Sequence, residues 1–305
     1  MTHAAAANEH PNPIAAALGD IKLAHSVFAM PFAILGGAMA FAPETTAARI
    51  AIAVSLIVVC MVFARTWAML VNRLADAGFD ADNPRTAGRA VASGRLGVGE
   101  GWRIAAVNGA LFCTAAALFW PLLGNPWPAM LCVPVLGFIA LYSYTKRFTA
   151  LCHVFLGAAL AISPLAAALA VRPEALGDTP ALYWLAGFVL LWVAGFDVIY
   201  ALQDMEFDVE RGLRSVPAKL GWRGAVWTSR ALHIAAAASL VVALPAEPRF
   251  GAAFIAGVGI VGLLLLTEHA VLARRGRDGI PMVFFTFNGI ASVALGICGL
   301  IDLLY

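Results

Sequence analysis

Nine long apolar stretches leave this chain few ways to fold. A helix rises about 1.5 Å per residue and the hydrocarbon core of a bilayer is about 30 Å thick, so one crossing takes roughly 20 apolar residues. Runs near that length, bounded by charge, Pro or Gly, occupy residues 26–42, 48–71, 104–123, 129–144, 150–171, 181–202, 225–244, 251–273 and 282–304. The first and fourth are the shortest. Lipid offers the backbone no hydrogen bonds, so each run must satisfy its own as a helix. Composition agrees: 62% of the 305 residues are hydrophobic and 12% charged, far from the balance of a water-soluble domain. The expected fold is all-α and polytopic, with nine transmembrane helices surrounded by membrane lipid. A net charge of only +2 gives no reason to expect a nucleic-acid partner.

Residues 1–20 lack the basic start and apolar stretch of a cleavable signal and read as a polar, disordered tail, leaving 21–305 as the membrane domain. Cys60, Cys113, Cys132, Cys152 and Cys298 all fall inside apolar runs without metal-ligand spacing. They are expected to pack as small side chains, not to form disulfides or a zinc site. Orientation follows from Lys and Arg, which are retained in short cytoplasmic loops. Fifteen of them lie on the flank of the first run and in every second loop, against Arg49, Arg172 and Arg249 on the other side. This asymmetry places the N-terminus on the cytoplasmic side of the inner membrane and the C-terminus outside.

Charge at or inside a membrane is costly, and two stretches concentrate it. Asn72, Asp76 and Asp80 close the second run, followed by Asp82, Arg85 and Thr86; Asp197, Tyr200, Asp204 and Asp208 close the sixth, followed by Arg214 and Ser215. Both contain Asp-x-x-Phe-Asp, a weak internal repeat. Residues four apart share a helix face, so each set is expected to form one row, with Arg65 extending the first deeper into the membrane. Carboxylates at that spacing repel, and a divalent metal is the economical counter-charge. Oxygen donors suit Mg²⁺, which keeps several waters and takes part of its shell from substrate phosphate. The motifs lie four spans apart and emerge on one face, so both can reach one substrate. With Arg and hydroxyl donors beside them they suit a diphosphate. A single motif would read as a solvated helix end. A secondary transporter would bury its carboxylates near the midplane at Gly- or Pro-broken helices, whereas these sit at span ends. A purely structural membrane protein gives no reason for two convergent acidic rows.

At these residues the sequence resembles the UbiA superfamily of intramembrane prenyltransferases. Asn72, Asp76 and Asp80 match the family's first motif, Asn-Asp-x-x-Asp-x-x-x-Asp, and Asp204 and Asp208 its second, Asp-x-x-x-Asp. Similarity runs through roughly residues 20 to 225 and takes in Lys146 and Arg147 between the fourth and fifth runs. Arg73 departs from the pattern, which has Asp there, and removes one possible metal ligand. The resemblance implies nine helices around a central cavity and Mg²⁺-dependent transfer of a polyprenyl group from polyprenyl diphosphate to an aromatic carboxylic acid. Arg65 with Thr66 and the 195–204 string are similar to the 4-hydroxybenzoate polyprenyltransferase subgroup of ubiquinone biosynthesis. A neighbouring subgroup prenylates 1,4-dihydroxy-6-naphthoate for menaquinone, and both acceptors stay open.

On this resemblance Asn72, Asp76, Asp80, Asp204 and Asp208 hold the metal and diphosphate, and Asp197 supports them or accepts the ring proton. Lys146 and Arg147 contact diphosphate or the acceptor carboxylate, with Arg147 favoured, and Arg85, Tyr200, Arg214 and Ser215 lie within the same binding set. Arg65 either binds the acceptor or pairs with Asp197. His25 and Ser26 either contact the acceptor or cap the first helix, and His153 is a similar case with the structural role preferred. His233 and His269 read as packing or interfacial residues, and Arg274, Arg275 and Arg277 as a lipid anchor.

Overall fold

The computed structural model describes residues 28–305, so the expected tail and the acceptor candidates His25 and Ser26 lie outside the described residues. Among the described residues the principal helices are α1 (Met30–Ala40), α2 (Ala47–Ala75), α3 (Val98–Ala117), α4 (Trp127–Thr145) and α5 (Cys152–Val171). They continue with α6 (Ala181–Ala201), α7 (Val216–Ala246), α8 (Ala252–Arg275) and α9 (Asn288–Leu304). Among the described residues, seven stretches are long and apolar enough to cross a membrane. One of them, Ala252–Leu304, is a hairpin of α8 and α9. Gly276 turns the chain with φ 54°, and Gly257 of α8 lies against Leu295 and Cys298 of α9. The first run departs from expectation, because α1 has only 11 residues, about 16 Å or half a bilayer. The nine expected runs therefore reappear as seven long stretches, one of them doubled back, and one short apolar helix.

Helix α6 is hydrophobic on every face and takes the centre of the bundle. Phe188, Trp192 and Phe196 run along it in ring contact, and Phe188 and Trp192 meet Phe32 of α1, with ring centroids 5.0 to 5.7 Å apart. Trp192 Nε1 donates to Asn288 Oδ1 of α9 at 2.8 Å, which satisfies a polar atom buried in the core. The outward faces carry bare apolar side chains such as Val133, Ile234, Leu263 and Leu266, between 65% and 73% exposed, as a surface wetted by lipid requires. The five cysteines are free.

Lipid does not drive helices together as water does, so small residues at the crossings do the packing. Gly36 faces the Pro164 backbone, Gly157 the Leu190 carbonyl and Gly195 the His233 ring, which brings α1 to α5, α5 to α6 and α6 to α7 at close range. At the bundle end away from the acidic motifs, three arginines grip helix-terminal carbonyls. Arg249 Nη2 donates to Met39 O at 2.8 Å, Arg172 Nε to Ala40 O at 3.1 Å and Arg49 Nη2 to Leu123 O at 2.8 Å. These are the three basic residues that the sequence sets apart from the other fifteen.

Gly157→Val puts a branched side chain where the Leu190 carbonyl already sits. It is expected to cost about 3 kcal/mol of stability, the upper range for overpacking a helix crossing. Thermal unfolding in detergent measures this, and an unchanged melting temperature would show that α5 and α6 can separate freely.

Candidate active site

Both acidic motifs lie where a helix breaks. Helix α2 ends at Ala75, Asp76 follows with φ −95° and ψ 7°, and the chain resumes as a six-residue helix, Ala77–Asp82. Helix α6 ends at Ala201, a tight turn covers Leu202–Asp204, and Asp204 sits at φ −104° and ψ 8° before another six-residue helix, Met205–Glu210. The first aspartate of each Asp-x-x-Phe-Asp thus occupies the sparsely populated bridge region, and the second, Asp80 or Asp208, is buried on the short helix. Each expected row is thus interrupted by a turn at its first motif aspartate. At the first motif the helical bonding carries across the turn, with Asp76 N bonded to Asn72 O at 3.0 Å and Asp80 N to Asp76 O at 2.8 Å.

Local signals then steer the chain. The second short helix ends at Gly212, φ 66°, with Gly212 N bonded to Val209 O at 3.2 Å and Leu213 N to Asp208 O at 2.8 Å, a cap that needs left-handed backbone. The turn delivers Ser215 to Asp208: its Oγ donates to Asp208 Oδ2 at 2.8 Å and accepts from Ala218 N at 3.2 Å, capping α7. The first short helix leaves through Asn83, whose Oδ1 accepts from Arg85 N at 3.0 Å and whose Nδ2 donates to Asp204 Oδ1 at 2.9 Å. Here the internal repeat stops. Thr86 bonds the Asp80 carbonyl, not a carboxylate, and Arg214 bonds the carbonyl of Phe148 at 2.8 Å.

Most of these carboxylates meet a basic side chain, often from another loop. Lys146 Nζ is 3.3 Å from Asp76 Oδ2 and Arg147 Nη2 is 3.6 Å from Asp76 Oδ1. Arg89 Nη1 sits 2.7 Å from each Asp80 oxygen. Arg85 crosses between the motifs: Nε donates to Asp204 Oδ1 at 2.8 Å, Nη2 to Asp204 Oδ2 and Nη1 to the Tyr200 hydroxyl at 3.2 Å. Asp82 pairs with Arg211 at 2.8 Å, and Glu206 pairs with Arg277, one of the three arginines expected to anchor lipid. Asn72 Nδ2 donates to Asp76 Oδ2 at 3.3 Å, while its Oδ1 accepts from Arg73 at 2.8 Å. Arg73, where the family pattern has an acid, therefore orients the Asn72 amide.

Asp76, Asp80 and Asp204, expected to face a metal, thus also meet Arg or Lys. Among the described residues no three His, Cys, Asp or Glu side chains converge closely enough to hold a metal ion unaided. The arrangement still fits a partly protein-held cation. Asp76 Oδ1 is buried without a hydrogen-bond partner. Burial pushes the Asp76 carboxyl above the ordinary carboxylate range; the charge of Lys146 pulls it back, Asp80 adds to the rise, and Arg147 again opposes it. A hard dication that takes most of its shell from water and phosphate suits such oxygens.

Deeper in the bundle, Asp197 Oδ2 lies 2.7 Å from His153 Nδ1, and His153 Nε2 accepts from Val216 N at 3.2 Å. Because Nε2 accepts, Nδ1 carries the proton donated to Asp197. Of the two readings of Arg65, the ion pair with Asp197 is not formed; His153 occupies that carboxylate. Arg65 instead lines a cavity of about 330 Å³ beside Tyr142, with its Nε buried and unpartnered. The rest of that wall is largely apolar and includes Ile57, Met61, Phe119 and Leu165. His233 and His269 bond each other at 3.1 Å.

Two residues of this network escaped sequence reasoning. Asn83 precedes Pro84, a turn signature that marks its position. Nothing in the spacing marks Arg89. It reaches Asp80 because the 83–97 segment folds back, with Ala90, Val91 and Leu96 packed against Met69, Leu70 and Leu74.

Residues 29–290 match the UbiA prenyltransferase family. The 4-hydroxybenzoate octaprenyltransferase of Alcanivorax borkumensis is 30% identical over 220 residues, 71% of either chain. That of Xanthomonas oryzae is 31% identical over 227 residues, 74% of this chain and 72% of the relative. The apo structure of a UbiA homologue from Aeropyrum pernix K1 superposes with a TM-score of 0.80 at 30% identity, covering 92% of this chain and 98% of that one. A UbiA homologue from Archaeoglobus fulgidus, bound to GPP and Mg²⁺, shares the fold at TM-score 0.68 and 17% identity, over 95% and 100% of the two chains. With a match across most of its length, and two broken-helix aspartate motifs joined at one end of an all-helical bundle, this chain belongs to the UbiA prenyltransferase family.

Proposed function

We propose that the protein transfers a polyprenyl group from polyprenyl diphosphate to a ring carbon of an aromatic carboxylic acid, 4-hydroxybenzoate in the first instance, and so serves quinone biosynthesis. The observation that carries this reading is the joining of both acidic motifs through Arg85, at the same bundle end toward which an apolar cavity presents Arg65 and Tyr142. Relatives named 4-hydroxybenzoate octaprenyltransferase support the acceptor, and the homologue bound to GPP and Mg²⁺ supports donor and metal. The distribution of basic residues supports a motif end facing the cytoplasm from the inner membrane, with the C-terminus outside and residues 21–305 acting as one membrane domain.

Asn72, Asp76, Asp80, Asp204 and Asp208 would hold Mg²⁺, whose charge neutralises the departing diphosphate. Arg85, Lys146 and Arg147 then bind diphosphate oxygens, for which a guanidinium fork is well shaped. Ser215 keeps Asp208 in place, Arg214 ties the 146–149 loop to the 211–215 loop, and Tyr200 steadies Arg85. The apolar cavity takes the isoprenoid and keeps water from the allylic cation. Arg65, with its unpartnered Nε, binds the acceptor carboxylate. Asp197 commits Oδ2 to His153, and its Oδ1 is the atom that would take the ring proton.

Membranes carrying the protein, supplied with Mg²⁺ and polyprenyl diphosphate, are expected to prenylate 4-hydroxybenzoate when it competes with 1,4-dihydroxy-6-naphthoate. Exclusive use of the naphthoate would move the acceptor assignment, and use of neither would overturn it. Asp76→Asn and Asp204→Asn are each expected to lower turnover by about 100-fold or more, the scale for losing a group that stabilises developing charge. Full activity in either variant would remove it from the metal site. Arg65→Ala should raise the KM for the acceptor by about tenfold or more, the scale for a charged hydrogen bond, and leave that for polyprenyl diphosphate unchanged. Initial rates at varied concentrations of each substrate separate the two effects.

A further inference from the structure

Arg85 and a divalent cation need the same atoms. Asp204 Oδ1 accepts from Arg85 Nε at 2.8 Å and from Asn83 Nδ2 at 2.9 Å, and Oδ2 accepts from Arg85 Nη2. Both oxygens are therefore turned to a guanidinium whose charge opposes the approach of a dication. Arg89 holds Asp80 in a similar way, one nitrogen 2.7 Å from each oxygen. The backbone that carries these arginines is anchored: Ala90, Val91 and Leu96 are buried, and Leu96 N bonds to Ala90 O at 2.9 Å. Movement at the site then falls to the side chains. The Arg85 side chain is 31% exposed, and Tyr200 gives it a contact independent of Asp204, through its hydroxyl at 3.2 Å and its ring centroid 5.5 Å away.

We propose that Arg85 is exchanged between two anions: it neutralises Asp204 until a metal takes that carboxylate, and then turns to the diphosphate that accompanies the metal. This rests on the diphosphate reading above. A metal entering alone must release the guanidinium to water, at the cost of two charge-assisted hydrogen bonds. A metal entering with diphosphate gives the guanidinium a new partner. Metal and diphosphate then bind with positive coupling, and by linkage each raises the affinity of the other. Arg85 thereby acts against premature metal loading and favours arrival of the complete metal–diphosphate pair. An Arg85 that merely propped up Asp204 would have the opposite signature, because its loss would loosen the site and weaken metal binding.

The test reads binding in the detergent-purified full chain. Mn²⁺ titrated alone and followed by electron paramagnetic resonance is expected to bind Arg85→Ala about three- to tenfold more tightly than the unaltered chain, a range discounted for partial exposure of the pair. The magnesium complex of inorganic diphosphate, followed by calorimetry, is expected to bind the same variant at least about threefold more weakly. Arg85→Gln keeps the side-chain bulk and should follow Arg85→Ala, whereas Arg85→Lys keeps a competing charge and should stay near the unaltered chain for metal alone. Mn²⁺ binding to Arg85→Ala and Arg85→Gln that is equal or weaker overturns the exchange. If Asp204→Asn also binds Mn²⁺ as the unaltered chain does, the metal assignment falls too, so the two failures are told apart.

Discussion

A carboxylate withdrawn from water at the end of a membrane bundle must meet a positive charge or a hydrogen-bond donor, and that requirement organises the motif end of this protein. Asp76, Asp80, Asp204 and Asp208 are buried or nearly so, and their partners come from different stretches of chain. Lys146 and Arg147 tie the loop after α4 to the end of α2. Arg85 and Asn83 tie the loop after α2 to the end of α6, and Arg211 returns the contact to Asp82. Arg277 brings in the turn between α8 and α9 through Glu206. Taking away one partner of such a pair leaves an uncompensated charge and destabilises more than the pair itself contributes. Loops that would otherwise move independently are held as one cap.

The two ends and the middle of the bundle are held by different kinds of contact, with different consequences for motion. The centre is close-packed around α6, where Trp192 satisfies Asn288 and glycines let neighbouring helices approach. The end away from the motifs is closed by arginines on backbone carbonyls at Met39, Ala40 and Leu123. No competing ion displaces a buried aromatic stack. At the motif end either partner of an ion pair can be replaced by a stronger ion of the same sign, so contacts there can be exchanged without disturbing the core. Asp76 and Asp204 each sit at the turn between a long helix and a short one at this end.

Much of this was legible along the chain, for reasons that differ from residue to residue. A span is selected by lipid on composition alone, so its position shows without knowledge of any neighbour, although how far α1 extends depends on what packs against it. The aspartates stood out because charge in an apolar setting is rare, and Asn83 carried a turn signal. Both aspartate motifs nevertheless read as unbroken helical rows, because spacing by four is helical and nothing local reveals a break at Asp76 or Asp204. Arg89 carries no signal at all, and the sequence leaves His153 between a structural role and acceptor contact without marking a partner. Its role as the partner of Asp197 depends on α5, α6 and the start of α7 meeting at one point.

By itself, then, the sequence determined the helical membrane architecture, the side of the bundle on which charge collects, the identity of the acidic motifs and the family. These follow from composition, periodicity and short motifs, all of which are local. Only the tertiary structure decided which cation each carboxylate meets, that Arg65 faces an apolar cavity and not Asp197, and that Arg85 reaches across to Asp204. Those pairings join residues far apart in the chain, and their energies depend on how whole helices pack and how completely water is excluded between them.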